Sequence, residues 1–401
     1  MPKLIVSFLC ILLSLTCVNS VQAEEHKDIM QITREAGYDV KDINKPKASI
    51  VIDNKGHILW EDNADLERDP ASMSKMFTLY LLFEDLAKGK TSLNTTVTAT
   101  ETDQAISKIY EISNNNIHAG VAYPIRELIT MTAVPSSNVA TIMIANHLSQ
   151  NNPDAFIKRI NETAKKLDMT KTHFYNPSGA VASAFNGLYS PKEYDNNATN
   201  VTTARDLSIL TYHFLKKYPD ILNYTKYPEV KAMVGTPYEE TFTTYNYSTP
   251  GAKFGLEGVD GLKTGSSPSA AFNALVTAKR QNTRLITVIL GVGDWSDQDG
   301  EYYRHPFVNA LVEKGFKDAK NISSKTPVLK AVKPKKEVTK TKTKSIQEQP
   351  QTKEQWWTKT DQFIQSHFVS ILIVLGTIAI LCLLAGIVLL IKRSRIITVL
   401  I

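Results

Sequence analysis

The chain has 401 residues, 43% of them hydrophobic and 21% charged, enough to bury a sizeable core in one large domain or two ordinary ones. Its three cysteines, Cys10, Cys17 and Cys382, all fall in the two strongly apolar ends, so the part between has no disulfide framework. The net charge of +6 does not point to nucleic acid: residues 325–360 contribute +7, residues 1–23 contribute +1 and residues beyond 360 contribute +2, leaving −4 for residues 24–324.

Residues 1–23 read as a leader for export. Lys3 precedes an apolar run, and Val21 and Ala23 form an A-x-A-like cleavage site. A folded domain is expected over 24–323. "ASIVIDNKGHILWEDN" reads as strand, turn and strand. "SMSKMFTLYLLFEDLAKGK" carries apolar residues at helical spacing and ends in a glycine turn. "YPIRELITMTAV" and "NVATIMIANHL" are two helices split by "PSS". "DAFIKRINETAKKLDM" and "TTARDLSILTYHFLKKYP" are further helices. "GVDGLKTGSS", "AFNALVTAKR" and "TRLITVILGVGD" are late strands, and "RHPFVNALVEKGF" is a closing helix. Strands first and last, with helices between, predict an antiparallel sheet built from both ends of the chain around an inserted helical region.

Residues 324–366 are rich in Lys and poor in large apolar side chains, and read as a disordered stalk. The run Phe368–Ile391 has 24 residues and no charge; a bilayer needs roughly 20, so 367–391 is expected to be a transmembrane helix. Lys392, Arg393 and Arg395 follow it, which predicts a cytoplasmic tail at 392–401 and an extracellular domain.

Ser72 and Lys75 are three residues apart at the mouth of an apolar helix, just after Asp69 and Pro70. Residues at i and i+3 share a helix face. A serine hydroxyl becomes a nucleophile when a neighbour takes its proton, and a lysine can do so if burial or nearby positive charge lowers its pKa. Ser, Lys and helix starts are common, so this pair alone also fits a plain cap followed by a surface lysine. Two further fragments change the weighing. "VPSSNVA" puts Ser136 and Asn138 at a break between helices, and "GVDGLKTGSS" puts Lys263, Thr264 and Gly265 on a late strand. The ordered set S-x-x-K, S-x-N, K-T-G is that of serine acyl-enzymes acting on penicillin-like amides.

On these motifs, with "NPSGA" at 176–180, "TTARDL" at 202–207 and "YNYSTPGAKFGLEGVDGLKTGSS" at 245–267, residues 35–320 resemble the low-molecular-weight penicillin-binding proteins of the serine D-alanyl-D-alanine carboxypeptidase family. The likeness extends to the membrane-anchored penicillin-binding protein 4 type of Gram-positive bacteria. The resemblance implies an α/β (α+β) fold: a five-stranded antiparallel sheet flanked by helices, with an all-helical region inserted. It implies that Ser72 is acylated, that Lys75 accepts its proton, and that Ser136 passes a proton to the leaving D-alanine. Asn138 would hold the stem-peptide amide and orient Lys75. Lys263 would supply positive charge, and Thr264 with Ser266 would bind the terminal carboxylate. The N–H groups of Ser72 and Ser266 would form the oxyanion hole, and Gly265 would let the strand approach substrate. Glu111 and Tyr245 match positions near the cleft rim, with a plain strand-face aromatic as the other reading of Tyr245. Arg205 is expected to pair with acids rather than touch substrate.

The implied partners are peptidoglycan stem peptides, β-lactams as covalent inhibitors and, through the terminal helix, the membrane. No cofactor, metal or nucleic acid is expected. The β-rich second domain common in the family is not expected, because only Lys- and Pro-rich sequence separates the last helix from the apolar run. A β-lactamase is the near alternative, weakened by the lack of an E-x-x-L-N loop between Asn138 and Lys263. A non-catalytic β-lactam sensor or wall-anchoring protein is the other, weakened for the sensor by an anchor that comes last. Hydrolysis and transpeptidation both remain open.

Overall fold

The computed structural model describes residues 27–297 and 299–330. The leader, the stalk from 331 onward, the apolar run 367–391 and the tail lie outside the described residues. Among the described residues no helix is long and apolar enough to cross a membrane.

The first half of the chain holds α1 (Ile29–Glu35), β1 (Ala48–Asp53) and β2 (Ile58–Asp62), then a 3-10 turn at Ala71–Ser74 that runs into α2 (Lys75–Ala87). After it come β3 (Thr96–Thr98), α3 (Glu101–Ser107), β4 (Ala122–Pro124), α4 (Ile125–Ala133), α5 (Asn138–Ser149) and α6 (Pro153–Lys166). The second half holds α7 (Ala204–Lys217), α8 (Leu222–Thr225), β5 (Glu229–Ala232), β6 (Glu240–Thr243), β7 (Val259–Ser267), β8 (Ala271–Arg280), β9 (Thr283–Val292) and α9 (Gly300–Asp318).

The five expected strands form one antiparallel sheet in the order β2-β1-β9-β8-β7. Alternate side chains of a strand point to opposite faces, and here both faces are covered. Ile50, Ile52, Leu275, Ile286 and Val288 face a core shared with the helical region. Val51, Val276, Leu285 and Ile289 face a second core shared with Ile29 and Met30 of α1 and Phe307, Val308 and Leu311 of α9. A strand buried on both faces reads as a continuous apolar run rather than an alternation, as "SIVI" and "LITVIL" do.

α2 runs through the centre of the inserted region. Every residue from Lys75 to Phe83 is buried, so the helix is apolar nearly all round, as an interior helix must be. Its one deep carboxylate, Asp85, is matched by a two-pronged pair from Arg159 of α6 at 2.7 and 2.8 Å, which ties the outer helices to the central one.

The fold runs slightly past its expected end. Pro327 accepts a hydrogen bond from the Ile58 N–H at 2.7 Å, the Leu329 N–H donates to Gly56 at 2.9 Å, and the Leu329 side chain is buried. The first residues assigned to the stalk therefore add a short rung beside the β1–β2 turn. Composition hides this because Val328 and Leu329 form only a two-residue apolar patch at the edge of a Lys-rich stretch.

Candidate active site

Asp69 shapes the turn that carries Ser72. Its Oδ1 accepts the Ala71 N–H at 2.7 Å, and its Oδ2 accepts the hydroxyls of Ser267 at 2.8 Å and Ser269 at 2.5 Å. The Asn273 amide donates to the Asp69 carbonyl at 2.9 Å. The turn is thus bolted to the β7–β8 hairpin before α2 begins. Ala71 sits at φ +47°, a left-handed conformation costly for a residue with a Cβ, and it persists because its surroundings over-determine it.

Two glycines allow the neighbouring chain to close on this turn. A Cβ on Gly179, which has φ +92°, would lie 2.0 Å from the Ala71 carbonyl oxygen. A Cβ on Gly265 would lie 2.6 Å from the Pro70 oxygen and 2.9 Å from the Ser72 nitrogen. Gly265 was expected to clear a path for substrate; what it clears first is the backbone of the Ser72 turn itself. All the clashing atoms are backbone and cannot swing aside. Gly179→Ala and Gly265→Ala are each expected to cost about 1–3 kcal/mol of stability and to slow acylation of Ser72 at least tenfold. Melting curves and penicillin-labelling rates check this; wild-type values for both would contradict the packing described.

Lys75 is the first residue of α2 and is fully buried. Its Nζ lies 2.8 Å from Asn138 Oδ1, 2.8 Å from the Ser178 carbonyl oxygen and 3.1 Å from Ser72 Oγ. The first two atoms can only accept, so they take two N–H bonds. Ser72 Oγ carries a proton of its own. The third direction of Nζ meets Ser72 Oγ: an ammonium donates to it, and a neutral amine offers it a lone pair. Burial, and then the nearby charge of Lys263, hold the Lys75 ammonium well below its ordinary range, which favours that neutral form.

Asn138 opens α5, and its Nδ2 donates to the Ser113 carbonyl at 2.8 Å while its Oδ1 faces Lys75. Ser136, two residues earlier, adopts φ +66°, and its buried Oγ has no hydrogen-bond partner among the described residues. An unpaired buried hydroxyl is costly unless used, and this one lines the cleft beside Ser72.

β7 forms the other wall. The pleat alternates Lys263 and Gly265 with Thr264 and Ser266, and because β7 is the edge strand of the sheet all four line the cleft along its free edge. Lys263 is buried, and burial followed by the charge of Arg304 pushes its pKa down to about 7. Arg304 of α9 is itself fully buried, with its pKa lowered to about 10 mainly by desolvation. Its guanidinium lies 3.9 Å from Glu301, whose other oxygen is 3.5 Å from Ser266 Oγ.

The cleft is lined by Ser72, Ser113, Ser136, Tyr245, Lys263, Thr264, Gly265, Ser266 and Glu301. Lys75 and Asn138 lie directly behind it. Of the two rim candidates, Tyr245 lines the cleft, and burial raises its pKa. Glu111 is exposed, two residues before Ser113, which does line the cleft. Arg205 pairs with Asp65 at 2.8 Å and Glu61 at 2.8 Å. Sequence reasoning missed Ser113, Ser178, Glu301 and Arg304. Ser178 and Arg304 lay inside segments singled out for other reasons; Ser113 had no signal at all.

The profile of a family described as D-alanyl-D-alanine carboxypeptidase matches residues 33–294. The D-alanyl-D-alanine carboxypeptidase DacF of Bacillus subtilis (strain 168) is 28% identical over 261 residues, covering 64% of this chain and 60% of that protein. The D-alanyl-D-alanine carboxypeptidase DacA of Escherichia coli (strain K12) is 27% identical over 262 residues, covering 63% and 57%. The chain thus spans somewhat under two thirds of the length of these relatives. Among solved structures, a peptidoglycan synthesis regulatory factor from Streptococcus pneumoniae superposes with a TM-score of 0.61 at 26% identity, covering 68% of this chain and 73% of that one. Penicillin binding protein 5 from Haemophilus influenzae gives a TM-score of 0.58 at 24% identity, covering 70% and 73%, a likeness of fold alone.

Proposed function

The chain belongs to the D-alanyl-D-alanine carboxypeptidase family, and from that premise we propose that it removes the terminal D-alanine of peptidoglycan stem peptides through an acyl-enzyme on Ser72, and that penicillin is trapped at the same serine. The observation that carries this is the Lys75 amine, held by two acceptors with its third direction on Ser72 Oγ.

Lys75 Nζ takes the Ser72 proton as Oγ bonds to the carbonyl carbon between the two D-alanines. Negative charge grows on the carbonyl oxygen, where the N–H groups of Ser72 and Ser266 act as donors. The C–N bond then breaks, and the leaving amine takes a proton through Ser136, which is resupplied from Lys75. Water attacks the ester carbon as Lys75 takes its proton, the bond from the carbon to Ser72 Oγ breaks, and Lys75 returns the proton to Oγ. A second amine in place of water would give a crosslink instead. The substrate's carboxylate fits Thr264, Ser266 and the positive field of Lys263 and Arg304.

Glu301 is engaged with Ser266 and Arg304. This supports slow release of the penicillin adduct over a class A-like β-lactamase activity, which uses a glutamate base at the ester.

The leader at 1–23 and the apolar run 367–391 with its trailing basic residues support a single-pass surface protein. In that arrangement the catalytic domain 24–323 is outside, the Lys-rich segment 324–366 is a stalk, and 392–401 are inside. This is the arrangement of the membrane-anchored penicillin-binding protein 4 type.

The test is D-alanine release from a peptide ending in D-Ala-D-Ala, measured against pH. Lys75 must be neutral, a condition met above its lowered pKa. Lys263 must be charged, a condition met below about 7 in the free enzyme. kcat/KM should therefore trace a bell whose alkaline limb begins near pH 7, whereas the limb in kcat should lie higher because bound carboxylate stabilises the Lys263 ammonium. Absence of D-alanine release at any pH would refute the reading, and a kcat/KM flat to pH 9 would remove Lys263 from it.

A further inference from the structure

The run Ser113–Asn116, "SNNN", belongs to no motif of the active site, yet it caps the helix that presents Asn138. The first N–H groups of a helix lack partners within it. In α5 they are met from this loop: the Asn138 N–H donates to the Ser113 carbonyl at 2.8 Å, and the Val139 N–H donates to Asn114 Oδ1 at 2.9 Å. The same Ser113 carbonyl takes the Asn138 side-chain Nδ2–H at 2.8 Å. That bond decides which way round the amide sits. With Nδ2 committed to Ser113, Oδ1 faces Lys75; turned over, the amide would present N–H groups to the lysine and compete with it.

The loop is held on one side by Asn114 Nδ2, which donates to the Ile106 carbonyl at 2.9 Å and the Ile109 carbonyl at 3.1 Å, and on the other by one carboxylate from a distant part of the chain. Glu240, the first residue of β6, accepts from Asn115 Nδ2 at 2.8 Å on one oxygen. On the other it accepts from the Asn116 N–H at 3.2 Å and Asn116 Nδ2 at 2.9 Å. The β5–β6 hairpin is itself anchored on α4, through the Met233 N–H to Glu127 at 2.9 Å, and on the loop by Tyr238 against His118 with ring centres 5.0 Å apart.

We propose that Glu240 is a positioning residue for the reaction, clamping Asn115 and Asn116 so that the Ser113 carbonyl fixes the Asn138 amide against Lys75. It rests on Lys75 serving as the base for Ser72. Releasing the clamp lets the loop and the amide relax. Water then reaches Lys75, its desolvation falls, and its pKa climbs toward the ordinary lysine value.

The experiment measures second-order acylation by a fluorescent penicillin across pH for the wild type, Glu240→Ala, Asn138→Ala and the double variant. Glu240→Ala is expected to acylate about tenfold more slowly, the loss expected of removing hydrogen bonds to a charged group. Its acid limb should shift to higher pH. If Glu240 acts through Asn138, the double variant should match Asn138→Ala within about twofold rather than multiply the two losses. Glu240→Gln keeps an acceptor for Asn116 and loses the one for Asn115, so it should fall between; it replaces Glu240→Ala in the cycle if the alanine variant does not fold. An unshifted acid limb, or multiplicative losses in the double variant, would overturn the proposal, because a residue acting only on stability moves neither. A wild type that penicillin does not acylate would instead sink the functional reading on which it stands.

Discussion

Ser72→Ala is expected to abolish covalent labelling by a fluorescent penicillin while leaving the melting temperature within a few degrees of wild type. The Ser72 side chain sits at the cleft and is hydrogen-bonded to Lys75 Nζ at 3.1 Å. The turn around it is held by Asp69, Asn273 and the contacts over Gly179 and Gly265, none of which involve the hydroxyl. Removing Oγ therefore deletes the nucleophile and little else. Gel fluorescence with a melting curve on the same sample checks both halves; labelling at the wild-type rate would take Ser72 out of the mechanism.

Lys75→Ala is expected to slow acylation by about 10²–10⁴-fold, the usual contribution of a positioned general base. The two side chains act as a unit, so the Ser72→Ala, Lys75→Ala double variant should be no worse than Ser72→Ala alone. Lys75→Arg should not rescue the rate, because a guanidinium remains charged and has no lone pair to offer Ser72. Stopped-flow acylation of the single variants decides the matter, and a loss below tenfold in Lys75→Ala would assign the proton to another group.

The sheet and the main helices were legible because their signals are local. "SIVI" and "LITVIL" are continuous apolar runs of strand length, and the residues after Lys75 are apolar at helical spacing. The three motifs were legible because acyl transfer asks for particular residue types in a particular order. Other parts were silent for physical reasons. α1 has seven residues, and β3 to β6 have three or four each, too short for periodicity to rise above chance. Leu329 packs through a contact across the whole chain. Arg304 reads locally as the polar start of an apolar helix, and its burial behind Lys263 is a tertiary fact. Ser113 acts through its carbonyl, which every residue has, so no side-chain pattern could mark it. Gly265 was noticed as a site of close approach, but its contact with the backbone of the Ser72 turn was not: a glycine in a strand says that something approaches closely, not what.

The central claim is that the protein's acyl-enzyme forms on Ser72 with Lys75 as base. Its most direct test is to incubate the protein with penicillin, quench in acid, digest, and locate the adduct by tandem mass spectrometry. The account predicts a single penicilloyl group, on Ser72, formed faster as pH rises through the lowered pKa of Lys75. A folded protein that carries no adduct, or carries it on a different residue, would contradict the account.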